Sequence, residues 1–319
     1  MLHNEPVNIT NCIAETSVVR LSSYRIFFSV SDESAFAIYK WNEEISSRLM
    51  QLVGVIEVTL RNRIHSAMSN SFQVGSTGTK YNNDWFNRIS INSYTQEKIN
   101  KVLKNKNKTP KVPTPTPNFV VSKMTYGFWP NILKVDQKSD KSRLQWEKIF
   151  PEIFPGLPKE SNTYWKKIKN REAVIARCFS VGDLRNRIAH FEPIWKFGPE
   201  VEEKIPKHNV NPTILNPAPK NKKEAIARLS MEIERAIELL KWLSPSSHQD
   251  YLNSESKKSL NWLITEDALE AFVKHKEVSK ISFNKSIKAR RIKRLSEGLK
   301  GCSIITIEKQ PIGVLFLYP

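Results

Sequence analysis

In the first two thirds of the chain, apolar residues recur at three- and four-residue steps, which is the period of a helix. The clearest stretch, residues 34–68, predicts one long amphipathic helix or two consecutive ones, with Asp32 or Ser34 capping the start. Residues 85–103, 172–190 and 224–243 predict further helices, and the residues between them include two proline- and lysine-rich loops, 104–118 and 199–223. The apolar stretches 119–133 and 144–154 are candidates for the core. These patterns predict a mainly α fold.

The pattern changes beyond Pro245. Residues 265–275 predict a short helix, residues 280–300 are strongly basic, and residues 303–318 predict two short strands separated by Gln310–Gly313. We therefore expect a helical domain over residues 1–248 and a small basic α+β appendage over residues 249–319. The basic stretch is either a contact for nucleic acid or a solvated helix face.

Composition narrows the class of protein. The chain has 319 residues, of which 39% are hydrophobic, so it can bury a sizeable core. Its formal net charge of +18 favours anionic partners, above all nucleic acid. Cys12, Cys178 and Cys302 are far apart, which suits neither a disulfide framework nor a cysteine-rich zinc site, so we expect no metal or cofactor. With no signal peptide and no membrane span in the pattern, we expect a cytoplasmic protein.

The candidate chemistry lies at the end of the helix predicted over residues 172–190. An ideal helix places Asn186 one turn from His190, with Arg185 about 140° away around the axis. Arginine suits phosphate, asparagine can orient a partner, and histidine exchanges protons near neutral pH. This set is sufficient to cleave RNA without a metal, by activation of a 2′-hydroxyl and stabilisation of the pentavalent phosphate. The spacing alone is common, but charged residues crowd this helix end beside large apolar groups.

A second cluster lies on the first long helix. Glu57, Arg61 and His65 follow one another at four-residue steps, beside Asn62. One interpretation is an ion pair from Glu57 to Arg61 with His65 packed behind it. The other is that this helix packs beside the helix of Arg185, so that Glu57 or Asn62 orients the catalytic groups.

These residues belong to stretches that resemble the Abi-like family of bacterial abortive-infection proteins, a branch of the HEPN superfamily. The matching stretches, in order from Arg20 to about Pro245, are 20–24, 39–42, 57–65, 85–86, 125–129, 150–151, 184–190 and 192–194. The resemblance implies a HEPN-like helical bundle, usually a dimer, in which the R-x4-6-H motifs of two protomers face each other to form a metal-independent ribonuclease site.

Arg185 and His190 fill that motif with four residues between them, and Asn186 fills the position after the arginine, which is often polar in the family. The family usually has a second basic residue or histidine directly after the motif histidine, and Phe191 departs from this pattern. The resemblance does not extend over residues 251–319.

Three hypotheses of function follow. The first is a toxin-like endoribonuclease in anti-phage defence that cleaves tRNA or mRNA as a homodimer, with an antitoxin or other regulatory partner. The second is a module that binds RNA or a partner protein without cutting RNA. Members of such superfamilies often lose their catalytic activity while they keep the fold. The third is a DNA-associated regulator that binds through its basic tail. Intact Arg185 and His190 favour catalysis, since a pure scaffold needs neither.

Overall fold

The computed structural model describes residues 8–161, 163–205 and 212–273, and the backbone of three strands at 280–282, 301–307 and 310–317. The fold is mainly α, as predicted. The helices are α1 (Ile9–Thr16), α2 (Val18–Phe28), α3 (Asp32–Ser71), α4 (Ser93–Leu103), α5 (Pro117–Ser122), α6 (Phe128–Ile132), α7 (Trp146–Ile153), α8 (Ile168–Ala189), α9 (Lys222–Leu243), α10 (Pro245–Asn253), α11 (Glu255–Leu263) and α12 (Glu266–Val273). The strands are β1 (Gly78–Thr79), β2 (Asn82–Asn83), β3 (Glu200–Val201), β4 (Ile214–Asn216), β5 (Lys280–Ser282), β6 (Gly301–Ile307) and β7 (Gln310–Leu317).

Helix α3 is one continuous helix of 40 residues, about 60 Å long at the usual rise per residue. Its N-cap is Ser31, whose hydroxyl accepts a hydrogen bond from the backbone N–H of Ser34 at 3.3 Å. The predicted cap at Asp32 or Ser34 is therefore wrong. Asp32 lies instead in the first turn, where its carboxylate interacts favourably with the positive end of the helix dipole.

The buried face of α3 is the axis of the hydrophobic core. Residues at three- and four-residue steps along it have no exposed surface: Trp41, Ile45, Leu49, Val53, Ile56, Leu60, Ile64 and Met68. Helices α2, α7, α8, α9, α11 and α12 all pack against α3. The apolar period that predicts the helix from sequence is thus the surface on which most of the bundle assembles.

The helices predicted over residues 172–190 and 224–243 are confirmed as α8 and α9, each beginning a few residues earlier than predicted. The continuous helix predicted over residues 85–103 is wrong. Trp85–Asn87 forms a single 3-10 turn, and α4 begins separately because the Asn92 side chain accepts from the N–H of Thr95 at 2.8 Å and caps a new helix.

Helix α8 is held close to the α5–α6 segment by a glycine. The hydroxyl of Tyr126 donates to the carbonyl of Cys178 at 2.9 Å, and an edge of its ring lies close to Gly182. A Cβ added at Gly182 would lie 2.9 Å from the ring, so a larger residue would push α8 away. The contact fixes α8 one turn before Arg185.

The loop predicted over residues 199–223 contains the short antiparallel pair β3–β4. Glu200 is buried and joins this hairpin to α9 through ion pairs with Arg228, at 3.2 Å, and Arg235. On α8, Arg177 pairs with Glu203 in the same segment and with Glu238 of α9. The segment that follows the motif is therefore anchored to two helices by charge.

Helix α10 crosses the expected domain boundary at residue 248, and α11 and α12 pack on α3. The indole N–H of Trp41 donates to the carbonyl of Leu263 at 2.7 Å, and Leu260, Leu263 and Leu269 are buried. The helical core therefore continues to Val273, because these side chains cover part of the apolar face of α3.

Beyond α12, β6 pairs parallel with β5 and antiparallel with β7 in a three-stranded sheet. Two strands are thus confirmed, but the break predicted at Gln310–Gly313 is wrong, because Gln310 pairs with Ile307 and Gly313 with Ile305. Most of the basic stretch 280–300 lies outside the described residues. None of the helices that the structure describes has the length and apolarity needed to cross a membrane.

The core position of α3 can be tested by removing side-chain volume. Ile56→Ala is expected to lower the free energy of unfolding by about 2–5 kcal/mol, because Ile56 is fully buried and its loss leaves a cavity. Val58→Ala, two residues away on the exposed face, should change it by about 0.5 kcal/mol or less. Urea denaturation of the full chain measures both, and equal effects would contradict this account of the core.

Candidate functional site

The predicted motif lies at the C-terminal end of α8. The helix ends at Ala189, and His190 is its C-cap, with its N–H donating to the carbonyl of Asn186 at 2.9 Å. Asn186 and His190 are exposed, whereas Arg185 is partly buried. All three predicted catalytic residues therefore lie at one accessible helix end.

The chain leaves α8 through a tight turn that has the hydrogen bonds of a Schellman motif. The N–H of Phe191 donates to Ile188 O at 3.1 Å, and the N–H of Glu192 donates to Arg187 O at 2.9 Å. Phe191 has a φ of 54°, in the left-handed region. The turn directs the following residues, Ile194 and Trp195, back into the core, where both are buried.

Three side chains, those of Arg187, Asn42 and Arg20, hold this turn in place. Arg187 donates to the carbonyls of Pro193 and, at 2.7 Å, Lys196, and its guanidinium lies over the ring of Phe197. Burial lowers the pKa of Arg187 from its ordinary value, although the Glu192 carboxylate acts in the opposite direction. Arg187 is therefore a structural residue of the turn.

Asn42 of α3 is the second of these side chains. It is 2% exposed; its Oδ1 accepts from the N–H of Ile194 at 2.9 Å, and its Nδ2 donates to the carbonyl of Glu192 at 3.3 Å. One buried amide thus satisfies two backbone groups of the segment after His190. This contact ties the end of the motif to the central helix.

Arg185 is positioned by the same helix. Its Nε lies 3.6 Å from Oε2 of Glu57, and both side chains are partly exposed. Such a pair contributes little to stability, about 0–1 kcal/mol, so its effect is on the orientation of the arginine. For Glu57, the structure agrees with the second interpretation, a contact with the helix of Arg185. The Nε of Arg61 instead donates to Oδ1 of its neighbour Asn62 at 3.2 Å.

His65 is engaged elsewhere. It is 7% exposed, and its Nδ1 accepts from the indole N–H of Trp85 at 2.9 Å, so the proton lies on Nε2, which donates to Oδ1 of Asn82 at 3.0 Å. Burial lowers the pKa of His65, while its bond to Asn82 acts in the opposite direction. A neutral His65 therefore secures the residues 82–85 segment against α3.

His190 opens into a groove between α2 and the turn after α8, with a volume of about 910 Å³. Arg20, Ser23, Phe191 and Lys196 also line it. The groove lies on the α2 side of α8, whereas Arg185 faces α3. In the described residues, no group of three or more histidine, cysteine, aspartate or glutamate side chains is arranged to hold a metal ion.

Sequence reasoning missed the roles of Arg20 and Asn42 in this site. The Nη1 of Arg20 donates to the carbonyl of Phe191 at 3.0 Å, across 171 residues of chain. Both residues lie in stretches singled out above, 20–24 and 39–42, but nothing in a linear pattern indicates that these stretches contact the turn after His190. The sequence therefore marked the two stretches as notable but did not indicate which residues they contact.

The comparison with known proteins identifies a family for this part of the chain. The model of the Abi-like protein family matches residues 12–196, which is more than half of the chain and extends from α1 to the turn that Asn42 holds. The chain belongs to the Abi-like family. No curated protein and no solved structure matches it. The Abi-like region thus contains α3, α8 and the whole motif, and ends just before the β3–β4 hairpin.

Removing the Asn42 amide should loosen the end of the motif. Asn42→Ala leaves the buried N–H of Ile194 without an acceptor, so the free energy of unfolding should fall by about 1–3 kcal/mol. Hydrogen exchange at the Ile194 amide should also accelerate. The control is Asn131→Ala, which removes an exposed side-chain bond to Gly127 O. Equal unfolding energies for the two variants would show that Asn42 does not hold the turn.

Proposed function

We propose that this Abi-like protein is a HEPN-type, metal-independent endoribonuclease that acts as a toxin-like effector of abortive infection in bacterial anti-phage defence. The observation that carries the proposal is the placement of Arg185 and His190 at one accessible helix end, with Arg185 oriented by Glu57 from a second helix. The net charge of +18 favours the approach of an anionic polymer.

The chemistry uses one proton-transfer group and one cation. His190 takes the proton from a 2′-hydroxyl, whose oxygen attacks the adjacent phosphorus, and the bond to the 5′-oxygen of the next nucleotide breaks. The products are a 2′,3′-cyclic phosphate and a 5′-hydroxyl, whose oxygen takes a proton from water as the P–O bond breaks, and the proton on His190 returns to solvent. Because Arg185 faces Glu57 through Nε, its two terminal amino groups remain to stabilise the charge on the pentavalent phosphate.

The two groups come from opposite flanks of α8. Arg185 is directed to α3, and His190 to the groove beside α2. A homodimer whose twofold axis passes beside this helix end would bring Arg185 of one protomer towards His190 of the other, and we propose that the site is shared between two copies in this way. Asn186, exposed between them, would orient the phosphate or the partner histidine.

The nuclease proposal predicts cleavage of total RNA by the purified full-length protein in excess EDTA. His190→Ala should reduce the rate by about 10²–10⁴-fold, the usual contribution of a proton-transfer group. Arg185→Ala should reduce it by a comparable factor, about 10²–10³-fold, because the transition-state charge loses its cation. His248→Ala, a distant histidine on α10, is the matched control.

An unchanged rate in His190→Ala would exclude the mechanism, and cleavage that disappears in EDTA would exclude its metal independence. Wild-type protein that binds RNA but does not cut it would favour the second hypothesis, a non-catalytic RNA-binding module.

The shared site makes a separate prediction. Co-expression of the Arg185→Ala chain with the His190→Ala chain should restore part of the activity. In each mixed dimer, one of the two sites combines the intact Arg185 of one chain with the intact His190 of the other. With random pairing, about a quarter of the wild-type rate is expected for dimers of this symmetry. A site built within one protomer would give no recovery, which gel assays of the RNA products would show directly.

A further inference from the structure

The residue directly after His190 is in a position that favours glycine. Phe191 occupies the C′ position of the Schellman turn with a φ of 54°, a conformation that side chains other than glycine rarely adopt. Its backbone is held there by the turn hydrogen bonds and by Arg20, which donates to its carbonyl at 3.0 Å. Backbone geometry therefore does not explain why this position holds a large aromatic residue.

Packing does not explain it either. The side chain of Phe191 is 61% exposed, whereas Ile194 and Trp195, which follow it, are at most 1% exposed. An aromatic ring gains stability chiefly by burial, and this one leaves most of its surface in water. A strained, exposed residue beside a candidate catalytic group is the pattern expected where the side chain contacts a ligand.

The surroundings of the ring define the chemistry of that ligand. Phe191 lines the groove with His190, Arg20, Arg187 and Lys196, against one carboxylate, Glu192. Arg20 and Lys196 are exposed. Arg20 holds the turn through Nη1 and also bonds the Tyr39 hydroxyl, and the rest of its five N–H donors are left for an anion. A flat apolar face beside several cations is complementary to a nucleobase joined to phosphates.

We propose that Phe191 stacks on an unpaired nucleobase of the RNA, next to the phosphate at His190, and that Arg20 and Lys196 bind the flanking phosphate. The inference rests on the proposed function for the identity of the ligand and adds the class of substrate. In a duplex the base faces are covered by their neighbours, so a stacking platform selects single-stranded RNA or a loop.

Binding can be measured without cleavage in the full-length His190→Ala background. The probe is a short, fluorescently labelled, mixed-sequence single-stranded RNA, and its affinity is followed by anisotropy. Adding Phe191→Leu keeps an apolar side chain but removes the ring, and should weaken binding about tenfold, within the range for loss of one stacked base. Phe191→Trp should retain affinity.

The matched control is Phe119→Leu, at another exposed phenylalanine, which should leave affinity unchanged. Phe191→Gly separates binding from folding: it relieves the left-handed backbone, so thermal stability should hold or rise while affinity falls. Lys196→Ala should weaken binding and reduce its salt dependence by about 0.7 in the log–log slope, as expected for one lost phosphate contact.

Abasic nucleotides, introduced one position at a time, identify the stacked base. When the abasic nucleotide replaces the stacked base, Phe191→Leu should no longer lower the affinity, because the ring then has no base to stack on. Affinity for single-stranded RNA within twofold of the parent in Phe191→Leu would overturn the proposal, as would an equal loss on a duplex of the same sequence. Phe191-dependent binding by a wild-type protein that does not cleave would retain this inference and overturn the nuclease.

Discussion

The burial of one face of α3 is the constraint on which the rest of the molecule depends. Trp41, Ile56 and Leu60 have no exposed surface, and eight of the other described helices contact α3. The same helix carries the polar groups that reach the motif, so packing and site geometry are set by one element. Asn42 and Glu57 are four turns apart on it, and they position the segment after His190 and the side chain of Arg185 respectively.

The end of α8 combines rigidity with exposure. A buried amide, a half-buried arginine and a pair of turn hydrogen bonds fix the backbone around His190, while the imidazole itself stays open to solvent. This division is what a proton-transfer group requires, because its position must be fixed although its ring must meet a substrate. Arg187 belongs to the groups that fix the turn and not to the candidate catalytic residues, although it lies between Arg185 and His190 in sequence. The ion pairs of Glu200 and Arg177 extend the support to the β3–β4 hairpin.

The proposed nuclease uses residues on both flanks of the helix end, and the proposed stacking residue lies on the flank of His190. Arg185 lies towards α3, and the groove of His190 and Phe191 lies towards α2. In these proposals, a single-stranded RNA enters the groove from the side of Arg20 and meets His190, where Arg185 of a second protomer completes the site. Arg20 serves both the turn and the groove, since it donates to the Phe191 carbonyl and also supplies charge to the groove.

The sequence by itself determined the mainly α class, the presence of helices over most of α3, α8 and α9, and the position of the motif at a helix end. It could do so because helical periodicity and proline-rich loops are local signals that a linear pattern contains. It left open whether α3 is one helix or two. It did not determine where the 85–103 stretch breaks, that α10 to α12 complete the core, or which polar residues of α3 reach the motif. Asn42 meets Ile194 across 152 positions, and His65 is bound by Trp85 instead of serving the motif. Only the tertiary structure decided these points, because such partners are brought together by packing and not by spacing along the chain.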